Sequence, residues 1–211
     1  METDYLVIGA GATGLAFADE LFTRTDAHIT LVDRRPACGG HWNDAYPFVK
    51  LHQPSVFYGV ESRELAEARI DESGPNAGFL SLADGSTVLE YFHAVMRERL
   101  LPSGRVRFLP MSEVTADGAV RNLLSRREAP IRVRRKTVNA AYYTNSVPRT
   151  HVPKFAIDDD VCVVPPNDAP MKLTELSIKG VDRKTLAATV AAAAVCLAVL
   201  WGFYHAHATV G

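Results

Sequence analysis

Cysteine is scarce: Cys38, Cys162 and Cys196 are the only three in 211 residues. They are too few and too scattered for a disulfide framework or a cysteine-rich metal site, so a reducing compartment is the expectation. No Cys-x-x-Cys pair occurs, which leaves no dithiol redox centre. His-Glu-x-x-His and compact His/Cys/Asp clusters are missing too, so no metal site is expected. A Gly-x-Ser-x-Gly elbow, the signature of a serine hydrolase, is absent. There is no excess charge of either sign: 23 Lys and Arg stand against 24 Asp and Glu, for a net charge of -1. Such a balance exerts no global pull toward nucleic acid. Charge also vanishes after Lys184, and the last 27 residues contain no Asp, Glu, Lys or Arg.

What is present is ordinary globular composition, 47% hydrophobic and 22% charged, which excludes a disordered or collagen-like chain. The length allows one large domain or two small ones.

The N-terminus is the most informative stretch. Tyr5 to Ile8 is continuously apolar, as expected of a strand buried on both faces. It opens into Gly9-Ala10-Gly11-Ala12-Thr13-Gly14, and a helical pattern follows through Leu15, Ala16, Ala18, Glu20 and Leu21. Ile29, Leu31 and Val32 form a second strand ending at Asp33, nineteen residues past Gly14. Each part has a task in dinucleotide binding. Gly9 allows the tight turn, Gly11 lets backbone approach a pyrophosphate, and Gly14 lets helix pack on strand. The helix N-terminus offers unpaired amides and partial positive charge to phosphates. Asp33 is placed to accept from a ribose hydroxyl pair. The competing reading is a chance Gly-rich turn in another α/β protein. Arg34 and Arg35 could pair with a 2′-phosphate, but Asp33 would repel one. The acid therefore favours an unphosphorylated ribose, as in FAD or NAD, and the plain reading of both arginines is a solvated loop. With the opening strand starting by Asp4, no cleavable signal peptide is expected.

A second motif runs through residues 38–59, CGGHWNDAYPFVKLHQPSVFYG. Gly39-Gly40 permits another close backbone approach, Trp42 and Tyr46 add aromatic area, and Pro47 and Pro54 stiffen the stretch. A loop this long in a compact domain is usually functional. The first Gly motif, the acid, and then Gly-Gly-x-Trp with a nearby Tyr-Pro resemble the FAD-binding part of flavoprotein monooxygenases and related FAD/NAD(P)-binding oxidoreductases. The resemblance covers about residues 3–168. It implies an α/β, Rossmann-like, three-layer FAD-binding domain. It also implies that Gly9, Gly11, Gly14 and Asp33, with Arg34 beside them, hold the ADP part of FAD. Gly39, Gly40 and Trp42 would run along the pyrophosphate, ribityl and flavin side, with His52 and Gln53 near the isoalloxazine ring and Val114 a backbone contact at the adenine end. His41 is a further candidate contact, and a structural role for His52 is an equal alternative. NAD(P)H would be the reductant.

Further along, Ser86 is a plausible N-cap for a helix over 87–101, whose Leu89, Phe92, Val95, Met96 and Leu100 read as core. Val106 to Leu109 reads as a strand, followed by 111–114. Residues 121–136 hold seven positive charges against Glu128 alone. Alternation at Ile131, Arg132, Val133 and Arg134 points to a strand with a wet basic face, and no aromatics interleave for nucleic acid. The resemblance makes this stretch a small β excursion. Val161 to Val164 reads as a buried strand, and Asp158 to Asp160 as a surface turn rather than a calcium loop.

The resemblance then breaks. No second Gly-x-Gly-x-x-Gly follows Asp168, and no residue stands out as a catalytic acid or base. Residues 185–204 run without charge or proline, about 30 Å as a helix and enough to cross a hydrocarbon core. Trp201 and Tyr204 lie at one end, with Lys179, Arg183 and Lys184 flanking the other, which places the large domain in the cytoplasm. A buried helix and an adventitiously apolar terminus are the alternatives. The expected organisation is an apparently incomplete FAD/NAD(P)-binding domain over 1–170, a linker over 171–184, a membrane span over 185–204 and a short tail over 205–211. The leading functional expectation is a flavin-dependent, monooxygenase-related oxidoreductase. The alternatives are a non-catalytic or remnant dinucleotide-binding module anchored by its tail, and a single-domain NAD reductase, which lacks its Tyr-x-x-x-Lys.

Overall fold

The computed structural model describes residues 1–141, 147, 149–152, 155–158 and 161–170. The chain divides into two units, Met1–Val147 and Pro148–Gly211. The expected membrane span and its linker lie outside the described residues. Among the described residues no helix is long and apolar enough to cross a membrane.

The first unit is built on a parallel sheet. Strand β1 (Glu2–Ile8) leads through helix α1 (Ala12–Arg24) to β2 (Ile29–Val32), as the apolar runs predict. Two short strands follow, β3 (Gly59–Val60) and β4 (Arg63–Glu64), then helix α2 (Gly85–Ala94) and β5 (Val106–Leu109). An antiparallel set, β6 (Ser112–Val114), β7 (Val120–Asn122) and β8 (Glu128–Ala129), precedes β9 (Arg132–Asn139). The main sheet has the order β5-β2-β1-β9, all parallel, with Tyr5 opposite Ile29 and Val7 opposite both Leu31 and Val138. The basic stretch thus corrects one expectation. Only β6, β7 and β8 form the small β excursion, while β9 joins the main sheet beside β1.

Period two along the strands sends alternate side chains to opposite faces. Val7, Ile29 and Leu31 pack with Leu15 and Ala18 of α1 and with Val88 and Phe92 of α2. Leu6 and Val32 point the other way and pack with Val120 of the antiparallel set. The result is three layers: helices, parallel sheet, antiparallel sheet. Both apolar faces of the parallel sheet are covered, which is why β2 tolerates four consecutive buried residues.

Helix α2 begins two residues earlier than the sequence suggests. Asp84, not Ser86, is the N-cap, accepting from the Thr87 amide at 2.8 Å, while the Ser86 hydroxyl donates to the same carboxylate. Past Ala94 the helix widens into a π turn over Val95–Leu100 and tightens into a 3-10 turn over Leu101–Ser103. Gly104, at φ +70, then ends it.

In the second unit Arg149 pairs with Asp168. Val161 to Val164, expected as a buried strand, is irregular, and its first three residues are exposed. Four apolar residues do not make a strand alone, and among the described residues no neighbouring edge supplies a ladder.

Candidate nucleotide-binding site

The turn between β1 and α1 lies at the carboxyl end of β1. On one side of β1 the chain continues to β2 and on the other it returns as β9. That is a topological switch point, the crevice where open α/β sheets receive ligands.

Glycine is required here for reasons that can be measured. Gly9 has φ +102, and a Cβ on it would stand 3.0 Å from the Ala141 amide nitrogen, just past β9. A Cβ on Gly14 would fall 1.9 Å from the Gly9 carbonyl oxygen, so the helix could not approach the turn at all. Gly11 is the N-cap of α1 and brings no side chain to it, and the first turn contains no acid. The amides of Gly11, Ala12 and Thr13 meet no acceptor among the described residues. They form the end of a 13-residue helix that presents donors and partial positive charge to the crevice.

Asp33 follows β2 directly and is only 6% exposed. One carboxylate oxygen accepts from the Ala10 amide at 2.7 Å, inside the glycine turn, and the other from the Arg35 amide at 2.9 Å. Its own backbone carbonyl accepts from Ser112, tying the start of β6 to the same corner. The acid therefore braces the turn from the end of β2.

The second motif folds onto the first. The Gly39 amide donates to the Ala10 carbonyl at 2.8 Å, and Gly39 and Gly40 both have left-handed backbones, at φ +111 and +58. Gly11 and Gly40 lie backbone against backbone: a Cβ on Gly11 would stand 3.3 Å from the Gly40 Cα. Close approach at Gly11 thus serves the neighbouring loop as well as any ligand. A 3-10 turn over Gly40–Asp44 follows. The Arg35 guanidinium donates twice to Asp44 in that turn, at 2.7 and 2.5 Å.

The other expected residues scatter. Trp42 is buried, and its indole N–H donates to the Tyr58 hydroxyl at 2.9 Å, so its ring is part of the core. The His41 ring stacks on Trp42 with centroids 5.2 Å apart. Desolvation and then the Arg35 charge hold the His41 imidazole below its ordinary pKa, with Asp44 opposing. His52 and Gln53 are exposed, and no hydrogen bond ties them to the glycine turns among the described residues. Arg34 is largely exposed beside Glu113 at 3.7 Å. Val114, half-buried at the end of β6, packs toward Leu6 and Val32. Cys38 is buried under α2, and burial above all pushes its thiol up to about 11.

Sequence reasoning missed Asp19. This carboxylate on α1 is fully buried and accepts from the Ser62 amide, the Ser62 hydroxyl and Arg99 Nε, at 3.1, 2.6 and 2.8 Å. The signal was legible, because position 19 is four residues past Leu15 on the apolar stripe of the helix. The basic stretch is likewise absorbed locally. Arg121 pairs with Glu113, and Arg134 with Glu2 and Asp4. No cluster that could hold a metal ion occurs among the described residues.

Residues 7–60, from the end of β1 through both glycine motifs, match the NAD(P)-binding Rossmann-like domain family. The N-terminal part of the chain thus has a Rossmann-like α/β fold. An uncharacterized protein of Mycobacterium tuberculosis and its counterpart in Mycobacterium bovis are 46% identical to the chain over 170 residues, 81% of its length. The chain spans about a third of those curated relatives, 32% of their length. Among solved structures, a flavin-containing monooxygenase from Stenotrophomonas maltophilia aligns over 68% of this chain and 41% of its own, at 18% identity and a TM-score of 0.47. A cyclohexanone monooxygenase from Rhodococcus sp. Phi1 aligns over 66% and 26%, at 22% identity and a TM-score of 0.44. The fold assignment rests on the domain match, the sheet order and the glycine turn rather than on these two.

Proposed function

We propose that the Rossmann-like domain holds FAD for a flavin-dependent, monooxygenase-related oxidoreductase reaction with NAD(P)H as reductant. The observation that carries this reading is the glycine turn, where three amides at the head of α1, without an acceptor among the described residues, stand beside a carboxylate fixed at the end of β2. The residues present fit the group. The amides of Gly11, Ala12 and Thr13 would take the pyrophosphate. Asp33 has lone pairs left after its two backbone bonds and would accept from the ribose hydroxyls. When bound, FAD would supply the hydride and oxygen chemistry, and the protein binding and orientation. The Gly39–Asp44 turn would cover the pyrophosphate from the second side, with Arg34, His52, Gln53 and Val114 toward its rim.

Residues 1–170 are assigned to this domain and 171–184 to a linker. Residues 185–204 are assigned to a membrane anchor that leaves the domain on the cytoplasmic side. Resistance of the full chain to alkaline extraction from membranes is the expected result, and its loss on deleting 185–211 the check.

The decisive experiment is isolation of the full chain in detergent followed by its visible spectrum. A flavin spectrum that bleaches with NADH or NADPH supports the reading. A flavin spectrum that does not bleach selects the non-catalytic dinucleotide-binding module. A colourless protein that takes up no added FAD overturns it.

A further inference from the structure

The two glycine motifs are joined by more than backbone contact. Asp33 holds the first turn through Ala10, and the Gly39 amide holds the second motif to the same Ala10 through its carbonyl. Arg35 closes the ring from outside. Its amide donates to Asp33 at 2.9 Å, and its Nη1 lies 4.0 Å from the same Asp33 oxygen. Its Nε and Nη2 both reach Asp44 Oδ2, at the far end of the 3-10 turn. The Arg35 carbonyl accepts from Met111, so the residue is also fixed from below by the segment entering β6. The Arg35 and Asp44 side chains are 32% and 37% exposed, wet enough to avoid a large desolvation cost and dry enough for the fork to hold.

We infer that Arg35 is a positioning residue, which clamps the Gly39–Asp44 turn over the Gly9–Gly14 turn and so sets how tightly the crevice retains its dinucleotide. The inference rests on the FAD reading for its ligand but not for its geometry. A planar guanidinium suits the task, because one fork reaches Asp44 while its third nitrogen faces Asp33. With the fork gone, the turn would keep the Gly39–Ala10 bond and the buried Trp42, but its Asp44 end would lose its tie to the Asp33 corner, loosening Gly40 on Gly11. Because Asp44 engages this guanidinium, Arg35 is not the residue that meets the ligand.

The test uses the full chain and the variants Arg35→Met, Asp44→Asn and the double variant, with Arg35→Lys as the conservative partner. FAD dissociation is followed by the cofactor's own fluorescence at a temperature where circular dichroism shows every variant folded. Each single variant is expected to weaken FAD retention about tenfold, with the double variant no worse than either single one. Arg35→Lys should recover only part, since a single ammonium cannot fork. A merely structural arginine would lower thermal stability and leave FAD affinity of the folded variants unchanged, and that result overturns the inference. If the parent chain takes up no FAD, the functional reading fails first and the clamp is judged on the ligand-free protein. There, exchange of the Gly39 amide should quicken about tenfold in Arg35→Met and Asp44→Asn. An unchanged exchange rate overturns the clamp without reference to any cofactor.

Discussion

Gly40 rests on Gly11: a Cβ added to Gly40 would stand 2.8 Å from the Gly11 Cα, and its φ of +58 is already left-handed. Two stretches separated by 29 positions are thus locked by the absence of side chains at both. Gly40→Ala is expected to lower stability by at least about 1–2 kcal/mol from the left-handed backbone alone, with steric cost added. Gly14→Ala should be far worse, because its Cβ would lie 1.9 Å from the Gly9 carbonyl oxygen and the obstacle is backbone. Urea unfolding of the first variant, and the soluble yield of the second, check the order. Equal stability of both with the parent would contradict this packing.

Asp19 is the second pressure point. Removing one partner of a buried ion pair costs about 3–5 kcal/mol. The Arg99 side chain is 34% exposed, so water can reach the charge left behind, and Asp19→Ala should fall at about 3 kcal/mol, the low end. Asp19→Asn keeps an acceptor for Ser62 and should cost less. Denaturant midpoints of the two variants decide it. A neutral Asp19→Ala would mean that the carboxylate is not buried in solution.

The helix cap at Asp84 gives a pH-dependent signature. Hydrogen bonds from the Ser86 hydroxyl, then from Thr87, hold its carboxyl below the ordinary value of 3.8. A depressed folded pKa contributes stability that is present above the unfolded value and is lost as pH falls through the folded one. Asp84→Ala should therefore cost about 1 kcal/mol near neutral pH, and the gap to the parent should shrink in strong acid. Unfolding curves at both pH values test the sign. A gap that widens in acid would show that the cap is not the ionised carboxylate.

Cys38 and Cys162 should differ in reactivity. Cys38 is buried, with its thiol pushed up to about 11, so on the order of one thiol in a thousand is ionised at pH 8. Cys162 is exposed. Brief alkylation of the native chain followed by peptide mass spectrometry should label Cys162 and spare Cys38 until denaturant is added. Early labelling of Cys38 would contradict its place under α2.

The parts legible from sequence were those set by local chemistry. The strand, turn and helix through Leu21 announce themselves by period and by glycine, and Val106 to Leu109 by apolar residues flanking Arg107 after the Pro102–Gly104 stop. What escaped depends on contacts distant in sequence. Nothing in Arg132 to Asn139 says that it pairs with β1 rather than with β8, because its alternation fits either sheet. Ala140 and Ala141 against Gly9, and Arg35 on Asp44, become neighbours only after the chain has crossed back. Trp42 looked like a ligand residue because it follows Gly39-Gly40, yet it fills the core beneath them. Ser86 lost the cap to Asp84 because a carboxylate can accept from both Thr87 and Ser86 itself.

β9 flanks the main sheet, and among the described residues no strand lies beyond it. Arg132, Arg134 and Arg135 crowd that border, and Glu2 and Asp4 of β1 answer them from within the same molecule. A second β9 added there would bring guanidinium rows together, and among the described residues Glu2 and Asp4 are already engaged. Within the first unit, the charges along this pair of strands are thus matched across β1 and β9.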